Sequence, residues 1–477
     1  MAPARRNAKV RDSPDMLSQR NDVVDTDDND RPARAARLVA AAKRTTPEGT
    51  FAVGVGLVVS GITTYGFQIL AFRGLSKPDY GALNALWVFV FVLAPGVFLP
   101  LEQEVGRAVS ARRARNVGGG PVIRRAGAIG AVFAGIVTFG ALVVAASTGI
   151  VSGVFAGHVG LVVCLVLSLF TFGVTYLARG AFAGTGRFDA YGMSMGAEGV
   201  LRLLPCIPLA FVASSNPVWF GLCLAIPPLF ATAIALRGQN QLMLPGPEAP
   251  YAELSTNLGF LLGGSLLAQV LGYAPFLGAQ VLAKPSERTQ IADFIVGLFL
   301  SRIPIVLFQA VQAALLPGLT TMVSAGRDDE FRAAVRRLAL IVLGIAILGV
   351  VGGATLGPEA GRILFGKKFQ LGHVDVALLT AGSGLFILAL TMSQALISLS
   401  GHARAMCAWC IGIVAFVFTT AFVSHDLFLR VEIGAIAGAG ASAAAMALLF
   451  RARARQGIAA GSLASLIEQI EYEPLAT

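Results

Sequence analysis

From residue 51 onward the chain is a succession of apolar runs about twenty residues long, separated by short polar connections. An α-helix needs about that many residues to cross the ~30 Å hydrocarbon core of a bilayer. The pattern predicts twelve helices, near 51–72, 82–101, 126–147, 157–179, 192–213, 217–236, 255–273, 291–316, 335–357, 373–397, 406–425 and 432–450. The expected fold class is therefore an all-α integral membrane protein with twelve transmembrane helices. Orientation follows from Lys and Arg in the connections, because retained positive charge marks the cytoplasmic side. The even-numbered loops hold 14 such residues, with clusters at Arg107, Arg112, Arg113, Arg115, Arg124 and Arg125 and at Arg327, Arg332, Arg336 and Arg337. The odd-numbered loops hold 8 and have no dense cluster. Both termini are thus expected on the cytoplasmic side, as an even helix count requires.

Composition removes the soluble alternatives. The 477 residues are 55% hydrophobic and 13% charged, with a mean hydropathy of +0.72, which leaves too little polar surface to enclose a soluble core. The spans use up the chain, so a large catalytic domain is not expected. The 55 glycines suit helices that pack closely and move against one another. The net charge of +10 lies largely between apolar runs instead of on a soluble face, so no nucleic-acid partner is expected. All five cysteines fall inside apolar segments, which points to neither a disulfide framework nor a metal cluster. Cys407-Ala-Trp-Cys410 is a lone CxxC, expected to be two small packing residues on one helix.

Residues 1–49 differ in composition, with Asp22, Asp25, Asp27, Asp28 and Asp30 followed by Arg31, Arg34, Arg37, Lys43 and Arg44. They hold no apolar signal-peptide core. A disordered tail is expected, with either a solvated or an inner-leaflet-binding basic segment at its end.

The two halves repeat. Leu75-Ser-Lys-Pro-Asp79 is echoed by Leu282-Ala-Lys-Pro-Ser286, Gly157-His-Val159 by Gly372-His-Val374, and Gly184 by Gly401, at offsets of 207, 215 and 217 residues. Six helices separate equivalent points, so the repeats face the same way, related by a pseudo-two-fold axis along the membrane normal. The expected domains are a cytoplasmic tail (1–49), a six-helix lobe (50–236), a linker (237–254), a second six-helix lobe (255–450) and a C-terminal tail (451–477), with a cavity between the lobes.

No enzyme motif is present: the chain lacks a Walker loop, a zinc-type His and Cys grouping and GxSxG, so no catalytic residue, cofactor or metal is expected. The informative residues are charges and amides within or at the ends of spans, because a charge facing hydrocarbon costs a few kcal/mol at least. They include Gln68 and Arg73 on the first helix, Glu102, Glu104 and Arg107 on the second, Glu198 and Arg202 on the fifth, Gln269 on the seventh, Asp293, Arg302, Gln309 and Gln312 on the eighth, and Gln394 on the tenth. Arg302 stands about eleven residues into its expected helix, too deep to snorkel, and faces either a cavity or a buried ion partner. Glu198 and Arg202 are spaced i, i+4 and form either a self-neutralised pair or part of a substrate site. A cavity with more arginine than carboxylate suits an anion, and the planar fork of arginine suits phosphate. The substrate-binding candidates are Arg302, Arg73, Arg202, Arg107, Gln68 and Gln309, and the ion-coupling candidates are Glu104, Glu198 and Asp293. Prolines at 95, 100, 205, 208, 227, 228 and 304 mark places where spans bend.

Several segments resemble a known family. Phe72-Arg-Gly-Leu-Ser-Lys-Pro-Asp-Tyr-Gly81 is similar to the R-x-L-G-P-x-x-Y-G signature after the first helix of bacterial polysaccharide flippases of the O-antigen and teichoic-acid exporter type. These flippases belong to the multidrug, oligosaccharidyl-lipid and polysaccharide exporter superfamily. Here Ser76 stands where the signature has glycine. Arg179-Gly-Ala-Phe-Ala-Gly-Thr-Gly-Arg-Phe188 with Glu198-Gly-Val-Leu-Arg202 resembles the family's fourth-to-fifth helix stretch. Ser301-Arg-Ile-Pro304 running to Leu316-Pro-Gly-Leu319 resembles its eighth helix, and Ile363-Leu-Phe-Gly-Lys-Lys-Phe369 its L-F-G-x-x-F loop.

The resemblance implies a carrier that flips an undecaprenyl-linked oligosaccharide, or a related cell-envelope glycan precursor, from the inner to the outer leaflet by alternating access. Its partners would be that anionic lipid-linked glycan and the membrane lipids of the bacterial cytoplasmic membrane, with glycan-assembly enzymes left open. By the same resemblance Arg73 and Arg302 match positions that line a cationic cavity in related lipid flippases. Rival expectations are an ion-coupled multidrug antiporter of the same superfamily, a major facilitator, and a non-transporting scaffold for glycan assembly.

Overall fold

The computed structural model describes residues 50–147, 149–211, 216–254, 258–284, 287–305, 322, 327–366, 369–399 and 401–455. Among them every regular element is helical. The spans are α1 (Thr50–Gly74), α2 (Lys77–Ala114), α3 (Gly120–Ser147), α4 (Val159–Thr185), α5 (Phe188–Phe211), α6 (Pro217–Ala225 continued by Pro227–Leu236), α7 (Leu258–Leu282), α8 (Arg288–Ser301), α9 (Asp328–Phe365), α10 (His373–Ser398), α11 (His402–Phe422) and α12 (Leu427–Arg455). Eleven of these are long and apolar enough to cross a membrane, and α8 is the described part of the remaining one.

The twelve helices form two lobes that pack alike. In the first, α1 lies on α5 so closely that a Cβ at Gly56 would stand 2.2 Å from the Gly192 carbonyl oxygen; only glycine permits that approach. The equivalent pair in the second lobe, α7 on α11, meets at Gly263 and Met406, and Gly263 follows Gly56 by the same 207 residues as the Leu-x-Lys-Pro repeat. Helices α3 and α9 are the outermost members of their lobes, with only 6% of each apolar window buried. Phe139, Leu142, Ile347, Leu348 and Leu356 point outward, where hydrocarbon would cover them. The lobes meet chiefly through α2, which contacts both α7 and α8.

Several helices run beyond their expected ends. Helix α2 has 38 residues, about 57 Å at 1.5 Å per residue, so Arg107, Arg112 and Arg113 lie on a helical extension and not in a loop. Helix α4 continues to Thr185 and stops where Gly186 adopts φ 75°, which places Arg179 inside a helix. Helices α2 and α5 continue through Pro95, Pro100, Pro205 and Pro208. Two spans do break. In α6 the helix ends at Ala225 before Pro227 and Pro228, and Thr171 of α4 donates a 2.7 Å hydrogen bond to the Ala225 carbonyl left over. In α8 the expected continuous helix is interrupted: Arg302 occupies a turn two residues before Pro304, whose ring cannot supply the next helical N–H.

Candidate functional site

The break in α8 positions the principal site. Arg302 is partly buried, and its Nη2 donates to the backbone carbonyl of Gly272 on α7. Its guanidinium lies 4.0 Å from the ring centroid of Tyr273, a cation–π contact. Among the described residues no carboxylate pairs with it. One small void beside it runs into the second lobe, against Ser383 of α10 and Ala435 and Ala439 of α12. Another lies at the lobe boundary, against Asn84 and Val88 of α2 and Phe299 of α8. Tyr65 of α1 closes that boundary by donating a 3.0 Å hydrogen bond to the Phe299 carbonyl. In mid-span this guanidinium meets a carbonyl and a π face but no acid among the described residues, and its planar fork borders the space between the lobes.

Arg73 stands at the odd-loop end of α1. It is exposed, and its Nη2 donates to the carbonyls of Leu364 (2.7 Å) and Ile363 (3.3 Å) at the end of α9, so it joins the lobes at that face. Two neighbours reinforce the seam: Phe72 packs edge-on against Phe365 at 5.7 Å, and Lys77 Nζ pairs with Asp293 Oδ2 at 2.7 Å. Asp293, expected as an ion-coupling candidate, is thus 3% exposed and bound to a lysine of the opposite lobe.

Arg202 and Glu198 lie inside the first lobe, and their pair is larger than the spacing indicated. Glu198 Oε2 accepts from Arg179 of α4 at 2.8 Å, and Oε1 accepts from Arg202. Arg179 also donates to Ser194, and Arg202 to Thr64 of α1 at 3.2 Å. Arg202 sits 5.6 Å above the ring of Trp87, which packs against Phe299 of α8. Glu102 of α2 borders the cluster, accepting from Tyr191 at 2.7 Å. Two guanidiniums on one carboxylate form a buried knot that reaches the lobe boundary through Trp87.

Arg107 and Glu104 are paired at 2.8 Å on the helical extension of α2, with Arg107 half-exposed and also bound to the Glu253 carbonyl. They stand at the opposite face from Arg73, and Arg112, paired with the Glu253 carboxylate at 2.6 Å, fastens the same extension to the connection after α6. Gln68 is fully buried and accepts from the Tyr80 hydroxyl at 3.0 Å. Gln309 and Gln312 lie outside the described residues. Among the cysteines, Cys407 and Cys410 are exposed on α11 instead of packed, which corrects the expectation for that CxxC.

Two residues escape the sequence pattern. Arg179 is the last residue of the expected fourth helix, and only the continuation of α4 to Thr185 places it inside the span. Glu432 of α12, set at a helix edge by the apolar pattern, lies in the second turn of a helix that begins at Leu427; it is fully buried, and neither carboxylate oxygen meets a hydrogen-bond partner among the described residues.

Comparison with known structures places this architecture. A crystal structure of a mutant of the Vibrio cholerae MATE transporter VcmN superposes with a TM-score of 0.66 at 15% identity, covering 88% of this chain and 98% of that one. An inward-facing multidrug resistance MATE family transporter of the MOP superfamily superposes at 0.67 with 14% identity over 84% and 95% of the two chains, and an outward-facing one at 0.66 with 12% identity over 85% and 94%. The fold is that of the MATE transporters. No protein-family profile matches the chain. By sequence it is 25% identical over 372 residues to the uncharacterized proteins Rv3630 of Mycobacterium tuberculosis and Mb3654 of Mycobacterium bovis, which covers 75% of this chain and 81% of theirs.

Proposed function

We propose that this protein carries a phosphate-bearing lipid of the polyprenyl-linked glycan class from the inner to the outer leaflet of a bacterial cytoplasmic membrane, by alternating access of its two lobes. The observation that carries the proposal is Arg302: a mid-span guanidinium at the lobe boundary, beside two voids and unmatched by any carboxylate among the described residues. A cationic drug would be repelled there, whereas a pyrophosphate would be held bidentately. With the arginine-rich even-loop face set toward the cytoplasm, the Arg73 and Lys77–Asp293 seam lies on the outer side and closes it, which suits loading from within. Outward movement of each negative charge across an inside-negative membrane is favoured by about 2.3 kcal/mol per 100 mV, so flipping needs no nucleotide.

The test uses purified protein in liposomes containing a fluorescent polyprenyl pyrophosphate oligosaccharide, with a membrane-impermeant quencher outside. Wild type should accelerate loss of the inner-leaflet signal. Arg302→Ala should abolish that acceleration while remaining folded and membrane-inserted. A wild-type protein that leaves the spontaneous rate unchanged overturns the proposal.

A second reading, an ion-coupled multidrug antiporter, is favoured by the fold shared with multidrug resistance MATE family transporters and by the buried Glu432, whose carboxylate meets no hydrogen-bond partner among the described residues. It requires gradient-driven efflux of a cationic dye that is lost in Glu432→Gln.

A further inference from the structure

Along the second lobe, a cavity of about 110 Å³ lies between α2, α7, α10 and α11. Arg302 does not line it. Three carboxamides reach it from three helices: Gln103 of α2, Gln269 of α7 and Gln394 of α10, with Ser393 and the buried Trp409 beside them. None of the three amides makes a hydrogen bond among the described residues. In an apolar span a half-buried amide without a partner, as at Gln269 and Gln394, costs free energy unless it faces water or a ligand, and the exposed Gln103 joins them on one space. Apart from His402 the lining carries no ionisable group, so the cavity offers paired donors and acceptors without net charge.

The cavity is placed to serve the same substrate. Gln269 precedes Gly272, the residue whose carbonyl holds Arg302, by three residues, a rise of about 4.5 Å along α7. A cationic anchor and a neutral, amide-lined chamber therefore adjoin, with the chamber extending from mid-span toward the even-loop face. A pyrophosphate and the first sugar attached to it have the same order of separation and the same division of chemistry: one group is anionic, the next is uncharged and rich in hydroxyls. Donor and acceptor amides suit hydroxyls, and an indole suits the apolar edge of a pyranose.

We propose that this cavity is a binding subsite for the first pyranose of the lipid-linked substrate, read by Gln103, Gln269 and Gln394 while Arg302 holds the phosphate. The inference rests on the glycan-lipid reading above and adds where the sugar is recognised.

The test measures binding to the full chain in nanodiscs, using undecaprenyl pyrophosphate alone and the same lipid bearing glucose, galactose or N-acetylglucosamine. Wild type should bind at least one glycosylated lipid about tenfold more tightly than the bare one. Gln269→Leu with Gln394→Leu should remove that advantage and leave affinity for the bare lipid unchanged, which also shows that the variant is folded. Trp409→Phe should reduce the advantage in part. Arg302→Ala should weaken both kinds of lipid alike. If every lipid binds wild type equally, or the double variant keeps the sugar advantage, the subsite is overturned while the phosphate reading stands; if no lipid binds wild type, both fall.

Discussion

Lys77 and Asp293 are 216 residues apart in the chain, yet Nζ and Oδ2 stand 2.7 Å apart, one on each lobe, with the carboxylate almost fully buried. The pair joins the start of α2 to α8 at the same face where Arg73 grips the end of α9. It is shielded from water on the acid side, so it should contribute more than an exposed pair, for which about 0–1 kcal/mol is usual.

Lys77→Ala and Asp293→Asn should each shift the protein away from this lobe-joined state and slow turnover in the liposome assay. The charge swap Lys77→Asp with Asp293→Lys should recover much of the loss. A double-mutant cycle on the flipping rate gives the coupling directly; additive single effects would show that the pair does not hold the seam.

Arg302→Lys keeps the charge but loses the planar fork and the flat contact with Tyr273. Its flipping rate should fall between those of wild type and Arg302→Ala. A rate equal to wild type would reduce the role of Arg302 to charge alone.

Glu198 is the centre of the knot in the first lobe, with one guanidinium on each oxygen. Glu198→Ala leaves two buried cations opposed and should destabilise the protein by about 3–5 kcal/mol, read as a lowered unfolding temperature in detergent. Arg202→Met should cost less, because Arg179 still pairs with Glu198. If the two variants unfold together with wild type, the knot is not structural.

Gly56→Val should depress the yield of folded protein, since the added carbons would have to push α1 off the Gly192 carbonyl. Gly135→Val on α3, where an added Cβ meets nothing within 4 Å, is the control and should be tolerated.

Removing residues 2–45 separates a carrier from a scaffold. The carrier should keep its flipping rate in liposomes, whereas a scaffold that recruits glycan-assembly enzymes would lose export in cells.

Local sequence determined the spans, their approximate places and the two-lobed repeat. Bilayer thickness fixes how many apolar residues a helix needs, and the Lys-Pro and Gly-His echoes survive as local patterns. It also singled out Arg302 and Pro304, because a charge and a helix breaker deep in an apolar run are anomalous wherever the helix packs. Tertiary structure alone decided what each charge meets. Glu198 was legible as a partner for Arg202 through one helical turn, but Arg179 joins them from another helix. Asp293 finds Lys77, Arg73 finds backbone carbonyls of α9, Glu432 finds no hydrogen-bond partner among the described residues, and three glutamines from three helices converge on one cavity. The physical reason is that hydrophobic length says nothing about the rotation of a helix about its own axis. That rotation is set by packing against neighbours that are distant in the chain, and it determines whether a polar side chain faces lipid, a partner or a void.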